Sequence, residues 1–148
     1  SLWLSEPKRG DILVFTTRDI EEIMRAAPGP QLYIKRLIGL PGDTIKVKDG
    51  SLLVNGKVFT VSGPDGLPLK YEDYGLLKEN EPYTVPEGSY FMMGDNSENS
   101  FDSRGWGPLP EGSVLYRHWF TFFVDKGVEK RRQERERKAR ERYENFTN

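Results

Sequence analysis

The 148 residues predict a mainly β fold: a single antiparallel β domain with one short helix, followed by a charged C-terminal helix. Three observations carry that prediction. Apolar runs such as Ile12-Leu-Val-Phe15 are of strand length, and no window approaches the ~18 apolar residues of a membrane span. Two tight-turn pairs, Asp49-Gly50 and Asn55-Gly56, separate short apolar-rich stretches, which is the signature of consecutive hairpins. Ten prolines and fifteen glycines cut the rest into short segments with many turns.

Taken in order, Pro7-Lys-Arg-Gly-Asp11 is a turn that feeds the first strand. Residues 18–27 place Ile20, Ile23, Met24 and Ala27 at helical spacing before a Pro28-Gly-Pro30 stop, so a short helix is expected there. Gln31 to Leu40 reads as a strand ending in Pro41-Gly42-Asp43, taken as a simple turn. Thr44–Lys48, Ser51–Val54 and Lys57–Val61 are the hairpin strands. Residues 62–82, rich in Gly, Pro, Asp and Glu, read as a surface excursion with little structure of its own. Thr84–Met93 is a turn and then a buried strand, Gly94–Gly107 a loop of small and polar groups, and Val114–Val124 a last strand.

Beyond Gly127 the composition turns to Glu, Lys, Arg and Gln, with Glu134/Lys138 and Glu136/Arg140 at the spacing that supports an exposed helix. No apolar stripe is evident, and a solvated helix is expected. From Lys126 onward nine Lys/Arg face five Glu, so the net charge of −1 conceals a basic tail on an acidic body. The interleaved glutamates argue against a nucleic-acid surface, and no nucleic acid is expected as a partner. Absence of cysteine excludes thiol catalysis, disulfides and Cys-ligated metal. The single histidine, His118, excludes a His-rich metal site and is read as a packed or surface side chain.

The chemistry concentrates in two segments. Tyr33-Ile-Lys-Arg-Leu-Ile-Gly-Leu-Pro-Gly-Asp43 sets one lysine inside an apolar strand, with Tyr33, Lys35 and Leu37 on one face and Ile34 and Arg36 on the other. A free lysine is an acid at neutral pH, with a pKa of about 10.4, and desolvation can lower that value by up to about 3 to 5. Lys35 is therefore either an edge lysine reaching for water or a base. Arg36 cannot be the base, because guanidinium stays charged. The second segment is Gly94-Asp-Asn-Ser-Glu-Asn-Ser-Phe-Asp-Ser-Arg-Gly-Trp-Gly107.

These two segments, with Arg9-Gly-Asp-Ile-Leu-Val-Phe15 and Val85-Pro-Glu-Gly-Ser-Tyr-Phe-Met-Met-Gly-Asp-Asn96, resemble the type I signal peptidases, membrane-anchored serine endopeptidases with a Ser-Lys dyad. The resemblance implies a signal-peptidase-like catalytic β domain over residues 1–125 and a separate tail over 126–148. It implies that Lys35 is the general base, that Ser100 orients its amine, and that Asp102 and Arg104 brace the loop. Val14, Tyr33 and Ile34 match positions that wall the pockets for small substrate side chains. Asp95 and Asn96 are read as turn formers. Ser97 stands where the family usually has arginine, a change expected to loosen the loop. No cofactor and no metal are implied.

The implied reaction is removal of N-terminal signal peptides from exported preproteins after Ala-x-Ala-like sites, at the extracytoplasmic face of the cell membrane. The family's Ser-Met-x-Pro segment is not among these residues, and neither Ser1 nor Ser5 precedes Met-x-Pro. The nucleophile and the membrane anchor are thus expected outside this segment, which by itself is expected to be inactive. One alternative is an inactive homologue that binds signal peptides, against which the intact Lys35 and Ser100 speak. Another is the autoprotease domain of repressors that respond to DNA damage, which lacks the Gly-Leu-Pro-Gly-Asp context.

Overall fold

A computed structural model describes residues 6–117 and 126–148, with no side-chain detail for 126–129. The expectations for Ser1, Ser5, His118 and the strand segment 118–124 lie outside the described residues. Within them the chain forms two antiparallel sheets. The larger joins β1 (Ile12–Thr16), β2 (Leu32–Gly39), β7 (Ser89–Met93), β8 (Leu109–Pro110) and β9 (Val114–Arg117) in the order β8-β7-β2-β1-β9. The smaller joins β3 (Thr44–Lys48), β4 (Ser51–Val54), β5 (Lys57–Val58) and β6 (Tyr83–Thr84) in the order β5-β4-β3-β6. The expected mainly β architecture is present.

The apolar pattern builds two cores, and β7 divides them. Tyr90 and Met92 enter a core with Leu13, Phe15 and Leu37, while Phe91 and Met93 enter another with Ile45, Leu52 and Val85. A strand buried on both faces reads as an unbroken apolar run, which is why Tyr90-Phe-Met-Met93 does not alternate. β2 also feeds both cores. Leu37 enters the first and Ile38, on the opposite face by strand alternation, the second, beside a register shift with β7 between Leu37 and Gly39.

The hairpins follow the turn chemistry. Asp49 and Gly50 have φ of 51° and 79°, and Asn55 and Gly56 have 53° and 79°, the left-handed pair that a two-residue hairpin requires. The third hairpin strand is shorter than expected: β5 ends at Val58, and Val61 turns inward to the second core.

Four expectations are corrected. The helix α1 covers only Glu21–Ala26, because Thr17 is engaged with Gln31. The Thr17 amide donates to Gln31 O at 2.9 Å and the Gln31 amide to Thr17 Oγ1 at 2.8 Å, leaving Arg18 and Asp19 in a turn. Pro41-Gly42-Asp43 is more than a turn. Asp43 accepts from Arg9 Nη2 at 2.7 Å, from Asn55 Nδ2 at 2.8 Å and from the Leu40 amide at 2.8 Å, tying the strand end to the hairpin. Burial alone would raise its carboxyl pKa, but these donors hold it below the usual range.

Residues 62–82 are not a loose excursion. Tyr71, Tyr74 and Leu77 are buried, and a 3-10 segment spans Gly75–Asn80 with a break at Lys78 and Glu79. Gly75, at φ 57°, lies so close to the Arg104 carbonyl that a Cβ there would sit 1.9 Å from its oxygen. The helix α3 covers Lys126–Thr147 as a helix was expected to, but it is not solvated all round. Glu136 and Arg140 are each 7% exposed, and Ala139 and Tyr143 pack on the first core, with Tyr143 5.9 Å from the Phe101 ring. These positions fall three or four residues apart on one face, a stripe of mixed polarity that a search for apolar residues passes over.

Candidate active site

Lys35 sits mid-strand on β2, on the face it shares with Tyr33 and Leu37, and is 4% exposed. A buried amine needs acceptors. Its Nζ donates to Ser100 Oγ at 3.2 Å and to Glu136 Oε2 at 2.5 Å, and lies 5.4 Å from the centre of the Tyr33 ring. The Tyr33 hydroxyl is pushed up to about 12 by burial and then by the nearby negative charge of Glu136, so it stays protonated at neutral pH.

Ser100 reaches Lys35 because the loop after β7 folds back tightly on itself. At Gly94 a Cβ would lie 2.1 Å from Ser100 Oγ and 3.4 Å from Lys35 Nζ. Only glycine leaves room there for the hydroxyl. We expect Gly94→Ala to push Ser100 off the lysine and to lower catalysis by about 10²-fold, the cost of a 1 Å misplacement. Turnover of the full-length variant, compared at equal melting temperature, checks this.

The loop is braced from behind by Asp102 and Arg104, both without solvent exposure. Asp102 caps α2 (Ser103–Trp106) by accepting from the Arg104 amide. It pairs in fork fashion with the Arg104 guanidinium at 2.9 and 2.6 Å and accepts from the Gly94 amide at 3.0 Å. Burial alone would raise its pKa, but the Arg104 charge and hydrogen bonds hold the carboxyl below the usual range. Ser103 Oγ accepts from the Met92 amide at 2.8 Å, which fixes the start of α2 to β7.

Ser97 does not loosen this loop. It is buried, and its Oγ accepts from Arg104 Nη1 and from the Glu72 amide, each at 2.7 Å. The rest of the clamp was invisible in the sequence. Tyr74 donates from its hydroxyl to Ser100 O at 2.8 Å, and the Arg104 and Arg140 guanidinium groups lie 4.8 and 3.8 Å from its ring centre. Burial pushes the Tyr74 hydroxyl pKa up, ahead of the repulsion from Asp102. Asp95, read as a turn former, makes a forked pair with Arg36 at 2.9 and 2.8 Å.

Lys35 and Ser100 lie in the wall of a groove of about 420 Å³. Ile12, Ile34 and Arg36 line one side, and Arg132, Gln133 and Glu136 of α3 line another. Val14 pairs with Ile34 across β1 and β2 and is half-buried. Tyr33 does not join them: it points into the first core beside Lys35. Among the described residues no group of three His, Cys, Asp or Glu side chains could hold a metal ion. The residues brought together are an amine, a hydroxyl and a carboxylate in a dry pocket beside an open groove, a set suited to moving a proton to or from a group presented there.

Comparisons with known proteins converge. A family model described as "Signal peptidase, peptidase S26" matches residues 1–123. The chain is 38% identical over 120 residues to "Probable signal peptidase I-2" of Synechocystis, covering 81% of this chain and 50% of that protein. It is 37% identical over 131 residues to the signal peptidase I of Bacillus licheniformis, covering 86% and 66%. The crystal structure of a signal peptidase I from Enterococcus faecalis superposes with a TM-score of 0.55 at 30% identity, covering 78% of this chain and 99% of that one. The chain spans about half the length of the first of these relatives and about two-thirds of the second.

Proposed function

The chain belongs to the signal peptidase family, peptidase S26, and we propose that it is the catalytic part of a membrane-bound serine endopeptidase that removes signal peptides from exported preproteins. The observation that carries this reading is the Lys35 amine, buried on β2 and hydrogen-bonded to Ser100. In the proposed reaction a serine supplied by sequence outside these residues is the nucleophile. Lys35, once neutral, takes the serine proton as the oxygen attacks the scissile carbonyl, and returns it to the departing amine to leave an acyl-enzyme. The same amine then takes a proton from water as its oxygen attacks the ester carbonyl, and returns it to the serine oxygen as the C–O bond breaks.

Ser100 aims the lone pair of Lys35, and Asp102 with Arg104 holds Ser100 in place while neutralising one another rather than the base. Ile34 and Val14, on the groove side of β2 and β1, wall the shallow pockets for small residues at −1 and −3. The extended substrate pairs with a strand edge. Tyr33 lies on the other face, its ring centre 5.4 Å from the Lys35 amine. The catalytic β domain is assigned to residues up to 125. No helix among the described residues is long and apolar enough to cross a membrane, and we place the anchor outside them, with the domain on the extracytoplasmic side.

The test is cleavage, by the full-length native protein in detergent, of a preprotein carrying an Ala-x-Ala site. Release of the mature chain cut after the second alanine is expected. Binding of the signal peptide without any cleavage would replace this reading by that of an inactive homologue.

A further inference from the structure

We propose that α3 is an autoinhibitory strap: docked through Arg140, it presses Glu136 onto Lys35 and blocks the approach to the base. The inference rests on the peptidase reading of Lys35. A general base must offer a lone pair, but here Nζ meets a carboxylate oxygen at 2.5 Å, with the two side chains only 3% and 9% exposed. Glu136, itself part of the groove wall, occupies the approach to the amine that a hydroxyl to be deprotonated would need. The observed arrangement is therefore a resting state.

Glu136 would face water on a free helix. Turning it inward costs desolvation that only a partner offsets, and that partner is Lys35, with Arg132 Nε 3.9 Å from the other oxygen. The docking is specific. Arg140 Nη1 donates to Ser97 O at 3.0 Å and to Glu98 O at 2.8 Å, Nη2 pairs with Glu72 at 2.9 Å, and the guanidinium lies over Tyr74. Ala139 and Tyr143 add the apolar part of the same seam. The helix lies beyond the residues matched by the family model.

The same strap lines the groove, to whose wall Arg132, Gln133 and Glu136 contribute together with Ile12 and Ile34. One movement of α3 would both admit a peptide and free the amine. The charged and titratable groups facing Lys35 are Glu136 and Arg132 of α3, Asp102 behind Ser100, the Arg36–Asp95 pair on the groove side, and Tyr33. Of these, Glu136 alone touches the amine, so its removal should dominate the response.

The experiment uses the full-length protein, with Glu136→Gln and Arg140→Ala beside wild type, and two readouts. Acylation of Lys35 by acetic anhydride, followed by mass spectrometry at neutral pH, should rise in both variants, as loss of the contact that seats α3 on the amine implies. Cleavage of the Ala-x-Ala preprotein should accelerate in both variants. Equal labelling of Lys35 in wild type and both variants overturns the strap, whatever the cleavage. Slower cleavage by Glu136→Gln at unchanged melting temperature also overturns it. If labelling rises as expected and no form cuts the preprotein, the seating of Glu136 on Lys35 stands, but its inhibitory role falls with the peptidase reading.

Discussion

Lys35→Ala in the full-length protein is expected to lower preprotein cleavage by about 10²- to 10⁴-fold, the worth of a positioned general base. The variant also leaves Glu136 facing Tyr33 with Arg132 as its remaining neighbour, so its stability must be read alongside its rate. Lys35→Arg separates the two effects. A guanidinium can keep a charge against Glu136 but cannot accept a proton, so this variant should be as inactive as alanine while folding better. Initial rates and thermal melts of the same samples decide the matter. A Lys35→Arg enzyme within about ten-fold of wild type would show that some other group is the base.

Asp102→Ala is expected to be the most destabilising single change in the domain, because it strands Arg104 in the core without its counter-charge. Breaking a fully buried pair from one side costs about 3–5 kcal/mol. At about 2–4 °C per kcal/mol for a chain of this size, the melting temperature should fall by about 10–15 °C. The acid dependence gives a second check with a definite sign. The Asp102 pKa is depressed in the fold, so its contribution is fully present above the ordinary aspartate value of about 3.9 and is lost as pH falls through the lower, folded value. The gap between wild type and variant should be widest at neutral pH and shrink in strong acid. A gap of the same size at pH 7 and in strong acid would show that the carboxylate charge is not what stabilises.

Some of this was legible in the chain. Asp49-Gly50 and Asn55-Gly56 predict their hairpins because a two-residue loop needs left-handed backbone, which these residues adopt at low cost. Alternation along Tyr33 to Leu37 put Lys35 inward, since strand periodicity is a local property. Helical α3 followed from its composition and from the Glu134/Lys138 spacing, while Glu136 and Arg140 turned to Lys35 and Glu72 instead of to each other. What these readings share is that the deciding interactions lie within a few residues of one another.

The misreadings concern partners far apart in sequence. Residues 62–82 look like a polar loop until Tyr71, Tyr74 and Leu77 are seen against a core made by other strands. Asp43 looks like a turn residue until Arg9 and Asn55 arrive. Ser97 looks like a weakness until Arg104 and Glu72 close on it.

By itself the sequence determined the β architecture, the hairpins, the family resemblance and the inward lysine. It did so because turn chemistry, strand alternation and short motifs are written in neighbouring residues. Only the tertiary structure decided the partner of that lysine. Glu136 is 101 residues away from Lys35, and nothing local distinguishes it from the other glutamates of a charged helix. Burial selects it: once Arg140, Ala139 and Tyr143 seat one face of α3, the carboxylate on that face loses its water and must take the nearest cation.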